Sequence, residues 1–157
     1  MMNGAHLQEL PLFLGIEQDD LNLLAQHVDR RSFAKNQTLF NQGDPAHHLY
    51  ILLQGSVAIR YKPPDADTLD VAEITENNIF GWSSALGRDV YTSSAICLEP
   101  CEVLLMKGVD LQLLCQQHPE TGVILLERLA GVIAQRLQST HEHVKELLRN
   151  SMQPTSP

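Results

Sequence analysis

The stretch Phe80-Gly81-Trp82-Ser83-Ser84-Ala85-Leu86 combines a glycine, two hydroxyls and an indole, and so has the types needed for chemistry or for ligand contact. Gly81-x-Ser83-x-Ala85 approaches the G-x-S-x-G nucleophile elbow. Its fifth residue is alanine and no strand–serine–helix α/β pattern surrounds it, which excludes a hydrolase. Downstream, Arg88 in the Gly87–Asp89 loop is a nearby cation, either turned inward or solvated and paired with Asp89. Tyr91, Thr92, Ser93 and Ser94 add hydroxyls without charge. Trp82 either stacks on a flat ligand or fills the space a sugar would take.

The seven histidines form no metal pattern. His47–His48 fall in a turn, His141-x-His143 point to different helix faces, and His-Glu-His-Val-Lys is not H-E-x-x-H. Cys97, Cys101 and Cys115 lack a C-x-x-C pair, so neither a disulfide framework nor a zinc site is expected, and they read as reduced, buried small hydrophobes. No metal site and no iron–sulfur or haem ligation is predicted.

A formal net charge of −8, with only 11 Lys and Arg and no cluster of three, argues against nucleic-acid binding by this chain alone. No apolar run reaches the roughly 18 residues of a membrane span, and the start MMNGAHLQELPLF lacks the features of a signal peptide. The cytoplasm is the expected compartment, with no membrane association. The start at Met1 and the trailing Gln-Pro-Thr-Ser-Pro read as a complete chain.

The elements that must position these residues follow from periodicity. Leu7, Leu10, Leu14, Leu21, Leu24, Ala25 and Val28 have helical spacing broken by Pro11 and Gly15, predicting two short helices over 7–28 with the second entered near Glu17–Asp20. From Arg31 to Met106 short β-type runs alternate with turn residues, predicting an all-β roll over 31–106. Gly43 and Gly55 suit tight turns, and Leu49, Ile51 and Leu53 alternate to one strand face. Helical spacing returns at Val109–Gln117, stops before Pro119, and resumes from Glu120 to about Arg149. The expected architecture is mainly β with flanking α: a double-stranded β-helix, or jelly-roll-like β-roll, with short N-terminal helices and, over 109–150, C-terminal helices of which the long last one is the dimerisation helix. Residues 1–150 read as one domain and 151–157, with two prolines, as a disordered tail.

The long helix carries Val123, Ala130, Leu137 and Val144 at intervals of seven, with Leu126, Ile133, Thr140 and Leu147 three residues on. Seven of these eight are apolar, which is an a/d seam over four heptads. It predicts a homodimer through paired helices, while Leu125, Leu129 and Val132 pack on the roll. The alternative is that the same stripe covers its own roll.

Three stretches together resemble the cyclic nucleotide-binding domain family, over nearly the whole chain. The first is Arg31-x-Phe33-x-Lys35 through Leu39, Gln42-Gly43-Asp44-x-Ala46, Leu49-Tyr50, Gly55 and Val57. The second is Phe80–Leu86, at the place of the family's phosphate-binding cassette, where a glycine and a short helix start aim backbone N–H groups at a cyclic phosphate. The third, Arg128-Leu129, Ala134, Arg136-Leu137-Gln138-x-Thr140-x-Glu142, resembles the dimer helix of the catabolite activator family. There the residue at Thr140 contacts the nucleotide base, and the residue at His141 reaches the ligand of the other subunit. Thr140 instead satisfies a backbone carbonyl one turn back in the alternative reading.

Two departures weigh against cyclic AMP in the usual pose. The resemblance implies a glutamate after the glycine, on the ribose 2′-hydroxyl, where this chain has Trp82. It also implies a phosphate-pairing arginine where Tyr91 stands, or Thr92 with a one-residue shift. Losing such a partner costs roughly 2–5 kcal/mol of binding. The resemblance therefore implies a regulatory domain without catalysis. It binds a small anionic effector, a cyclic nucleotide or another, against Phe80, Gly81, Trp82, Ser83, Ser84, Ala85, Leu86, Arg88, Tyr91, Thr92 and Ser93, with Thr140 and His141 from the helix. No cofactor is certain. The helix-turn-helix segment of the catabolite activator family has no counterpart in this chain, so output passes to an unknown protein partner; the alternatives are a ligand-free dimerisation module or the effector half of a truncated transcription regulator.

Overall fold

Turns at glycine, proline and asparagine cut the middle of the chain into eight strands, seen in a computed structural model that describes residues 7–152. A 3-10 turn at Pro11–Phe13 and helix α1 (Gln18–Ala25) precede β1 (Val28–Phe33), β2 (Thr38–Phe40), β3 (His48–Gln54) and β4 (Val57–Tyr61). Then come β5 (Leu69–Ile74), β6 (Ile79–Phe80), a 3-10 helix (Trp82–Leu86), β7 (Ser94–Cys97) and β8 (Cys101–Lys107). Helices α2 (Gly108–Gln117) and α3 (Pro119–Met152) close the chain.

The strands form two four-stranded antiparallel sheets, ordered β1-β8-β3-β6 and β2-β7-β4-β5. This is the expected roll. Strands β3 and β8 are apolar on both faces because both are covered. Tyr50, Leu52, Val103 and Leu105 point between the sheets, against Phe40, Val57, Phe80 and Tyr91. Leu49, Ile51, Leu104 and Met106 point outward under Leu7, Phe13, Leu21, Leu111, Leu125 and Leu129 of the helical layer.

Three boundaries differ from the sequence pattern. Val28 opens β1 opposite Met106 and does not extend a helix, because pairing with β8 satisfies its backbone, so the roll spans 28–107. Strand β6 has only two residues, too few to show an alternation. Helix α3 continues through Ser151 and Met152, past the expected boundary at 150, and the rest of the tail, 153–157, lies outside the described residues.

Close backbone approaches fix the layers. Gly55 turns between β3 and β4 at φ 105°, and a Cβ there would stand 2.6 Å from the Pro100 carbonyl oxygen. A Cβ on Gly108, at the start of α2, would meet the Ser84 carbonyl oxygen at 2.5 Å. The start of α3 is held to α1 by Thr121, whose hydroxyl donates to the buried Asp20 carboxylate, with His118 Nδ1 3.4 Å from the other carboxylate oxygen. The cysteines are free thiols; Cys97 and Cys101 are buried, whereas Cys115 is half-buried.

Candidate ligand site

The site is assembled where the second sheet leaves its inner surface open and α3 passes over β5. A cavity of about 490 Å³ lies between the roll, the start of the 3-10 helix and one turn of α3. Gly81 adopts φ 66°, which brings the chain from β6 into the 3-10 helix. A Cβ there would stand 3.0 Å from the Phe40 ring, so the backbone at this corner lies directly on the aromatic floor. That floor is a stack: Phe40 and Tyr91 have centroids 3.9 Å apart at 15°, and Tyr50 and Phe80 pack behind them.

Of the cassette residues named from the sequence, Phe80, Gly81, Trp82, Ser83, Tyr91, Thr92 and Ser93 line the cavity. The tight pitch of a 3-10 helix sends its successive residues to different sides. Ala85 therefore packs in the core beneath the helices, and Leu86 faces solvent. Ser84 faces a second groove, beside His47, His48 and Lys107, and its buried Oγ has no hydrogen-bond partner. Arg88 also lies off the cavity. Gly87, at φ 74°, reverses the chain, the Arg88 N–H donates to the Ser83 carbonyl at 2.9 Å, and the residue is exposed. Strand alternation turns Ser94 to the opposite side, where its Oγ accepts from the Gln42 N–H at 2.8 Å.

Tyr91 is part of the wall's support. Its hydroxyl donates to the His48 carbonyl at 2.8 Å and accepts from the His48 N–H at 3.2 Å. Desolvation pushes its phenol above the ordinary value, and the same cause takes Tyr50 up to about 12. Both phenols therefore stay neutral, and neither supplies the cation that the family position implies.

The cation comes from α3. Arg136 sits with its guanidinium carbon 5.0 Å from the Trp82 ring centroid, and its Nη2 donates to the Ile79 carbonyl at 3.1 Å. Burial pushes this guanidinium below its ordinary value. Among the described residues no Asp or Glu lines the cavity, and Arg136 makes no ion pair. Trp82 thus stands as a wall whose face is taken by Arg136, with the cavity beside it. In the sequence Arg136 stands out only as part of the stretch that resembles the dimer helix, with no role at the site. The one available signal was its place one helical turn before Thr140.

The other helix residues are distributed differently. Leu137 lines the cavity while remaining 63% exposed. His141 is exposed and off the cavity, and the side chain of Thr140 lies outside the described residues. Among the seam residues, Val123, Leu126 and Leu147 are 55%, 47% and 40% exposed, and Ala130 is also exposed. Ile133 is half-buried against the chain's own helical core, and the side chain of Val144 is outside the described residues. Leu125 and Leu129 are buried in that core.

Among the described residues no three His, Cys, Asp or Glu side chains converge as metal ligands, and no helix is long and apolar enough to cross a membrane.

Comparison with known proteins agrees with this geometry. The model of the cyclic nucleotide-binding domain family matches residues 30–118, more than half of the chain, and the chain belongs to that family. It is 26% identical over 137 residues to the CRP-like cAMP-activated global transcriptional regulator of Mycobacterium tuberculosis, covering 87% of this chain and 59% of the regulator. It is also similar to the Thermus thermophilus catabolite activator protein, at TM-score 0.70 and 25% identity over 87% of this chain and 62% of that one. A cyclic nucleotide-binding domain from Methylobacillus flagellatus shares the fold at TM-score 0.78 and 18% identity, covering 95% and 82% of the two chains. The chain thus spans about three-fifths of the regulator it matches. By name, the Mycobacterium tuberculosis relative is a transcriptional regulator and the Thermus thermophilus one a catabolite activator protein.

Proposed function

We propose that this chain is a regulatory module that holds a small anionic effector between the β-roll and α3, and that occupancy is read out through α3 in a homodimer. The observation that carries the reading is Arg136: a half-buried guanidinium at a cavity wall with no carboxylate among the described lining residues to neutralise it. A partly desolvated charge without a counter-charge is costly, and an anionic ligand removes that cost. Because the same residue belongs to α3 and rests on Trp82 of the cassette, an anion that engages it acts on both elements at once. Differential binding to two seatings of α3 then shifts their populations.

The exposed apolar stripe Val123, Leu126, Leu137 and Leu147 supports pairing of two α3 helices, and the proposed setting is the cytoplasm. The net charge of −8 favours a protein partner over direct contact with nucleic acid. The 59% coverage of a transcriptional regulator favours, as a second reading, the effector half of such a protein.

Calorimetric titration of wild type and Arg136→Gln with cyclic AMP, cyclic GMP, a cyclic dinucleotide and 1-naphthoate tests the first reading. At least one anion is expected to bind and to lose affinity in the variant. Absence of any anion binding by folded protein, or binding indifferent to Arg136, overturns it.

A further inference from the structure

Resting on the reading of this cavity as an anion site, we infer that its ligand is an apolar monoanion, a carboxylate or similar acid on an aromatic or aliphatic body, and not a cyclic nucleotide. Charge balance sets the head group. Among the described residues that line the cavity Arg136 is the one that is charged, so a single negative charge neutralises the site and a second would lie against the walls without a counter-charge. The guanidinium has five N–H donors. One, on Nη2, goes to the Ile79 carbonyl, and the guanidinium carbon stands over the Trp82 ring. A planar carboxylate can accept side by side from two of the N–H groups that remain.

The walls set the body. Phe40, Ile59, Leu69, Val71, Phe80 and Leu137 surround most of the cavity, so an apolar ligand gains by leaving water. Apart from Arg136 and the Trp82 indole N–H, the polar side chains among the described lining residues are hydroxyls such as Thr92 and Ser93, and the Tyr91 hydroxyl is already engaged on both sides with the His48 backbone. A cyclic nucleotide is also a monoanion, but its sugar hydroxyl and base edges need donors and acceptors of their own. At the position after Gly81, where a carboxylate would receive a sugar hydroxyl, the chain presents the Trp82 ring, already covered by Arg136. Each polar group left unpaired against these walls lowers affinity by about tenfold.

The experiment pairs acids with their neutral counterparts: 1-naphthoate with 1-naphthalenemethanol, and decanoate with decanol, alongside cyclic AMP and cyclic GMP. Binding to the full chain is followed by calorimetry near neutral pH. At least one acid is expected to bind about tenfold or more tightly than its alcohol. Arg136→Gln should erase that acid–alcohol difference while leaving the alcohol's weak binding in place. The ratio in wild type stands as a test even if the variant fails to fold. Equal binding of acid and alcohol overturns the inference. If a cyclic nucleotide binds more tightly than either acid and depends on Arg136, the apolar class is overturned and the anion-effector reading stands. If no anion binds, both fall.

Discussion

The two halves of α3 do opposite work with the same kind of residue. In the N-terminal half, Leu125 and Leu129 are buried against Leu111, Leu49 and the N-terminal segment, and Arg128 reaches the Leu12 carbonyl at 3.1 Å. One turn beyond Ile133, Arg136 and Leu137 border the cavity, and Leu137 and Leu147 stay largely exposed. The first half is welded to the domain by apolar burial, which is dense and costly to disturb. In the second, Arg136 meets the roll and its cassette through a cation–π contact with Trp82 and a hydrogen bond to the Ile79 carbonyl. Coupling between a ligand and a moving helix belongs in the second half, because local movement draws on regions with few buried contacts.

Substitutions can break or sharpen that contrast. The largest effect is expected from Leu129→Ala, which should lower unfolding free energy by about 2–5 kcal/mol through cavity formation. Leu137→Ala should stay within about 0.5 kcal/mol in the monomer. Urea denaturation of both variants measures the pair, and similar losses would erase the distinction between the halves.

The clamp beneath the cassette comes next. Gly108→Ala forces a Cβ against the Ser84 carbonyl, and a loss of about 1–3 kcal/mol is expected from overpacking. An unchanged midpoint would mean that α2 does not brace the cassette as tightly as the approach suggests.

Leu126→Asp, on the exposed stripe, should yield monomers in sedimentation velocity with little change in helical circular dichroism. A persistent dimer would remove the stripe from the interface and leave α3 without a role in pairing.

The smallest effects are chemical. Desolvation holds the Cys97 thiol up near 12, so at neutral pH Cys115 should be labelled by a thiol reagent well before Cys97. Tyr50 behaves in the same sense. Its folded value of about 12 lies above the ordinary 10.0, so the folded state keeps the proton longer than the unfolded one. The contribution is fully present below pH 10 and is lost as pH rises from there through about 12. An alkaline series of denaturation midpoints should fall across that window, and in Tyr50→Phe this component of the fall should be absent.

The roll was largely legible because its signals are local. Leu49, Ile51 and Leu53 alternate within one strand, and Gly43, Gly55 and Gly81 mark turns that few other residues can make. Strand β6 escaped because two residues carry no period, and Val28 was read as helical because its strand partner, Met106, lies 78 positions away in the chain. Of the segment Phe80–Leu86, the residues Phe80, Gly81, Trp82 and Ser83 line the cavity. The sequence does not show that Ser83 faces the cavity while Ser84 faces away from it, since that depends on the pitch of a five-residue 3-10 helix.

What the sequence determined by itself is the β-roll and the segment at its edge: Gly81 followed, beyond Trp82, by small residues, set between the roll's strands. Tertiary structure alone decided where the charge is. Arg88, the nearby cation in the chain, is carried outward by Gly87, while Arg136, 54 positions beyond Trp82, is brought over its ring by the packing of Leu125 and Leu129. Spacing along a chain records which residues share a helix face. Which face lies over a cavity, and which charge loses its water there, is settled only when the helix is seated.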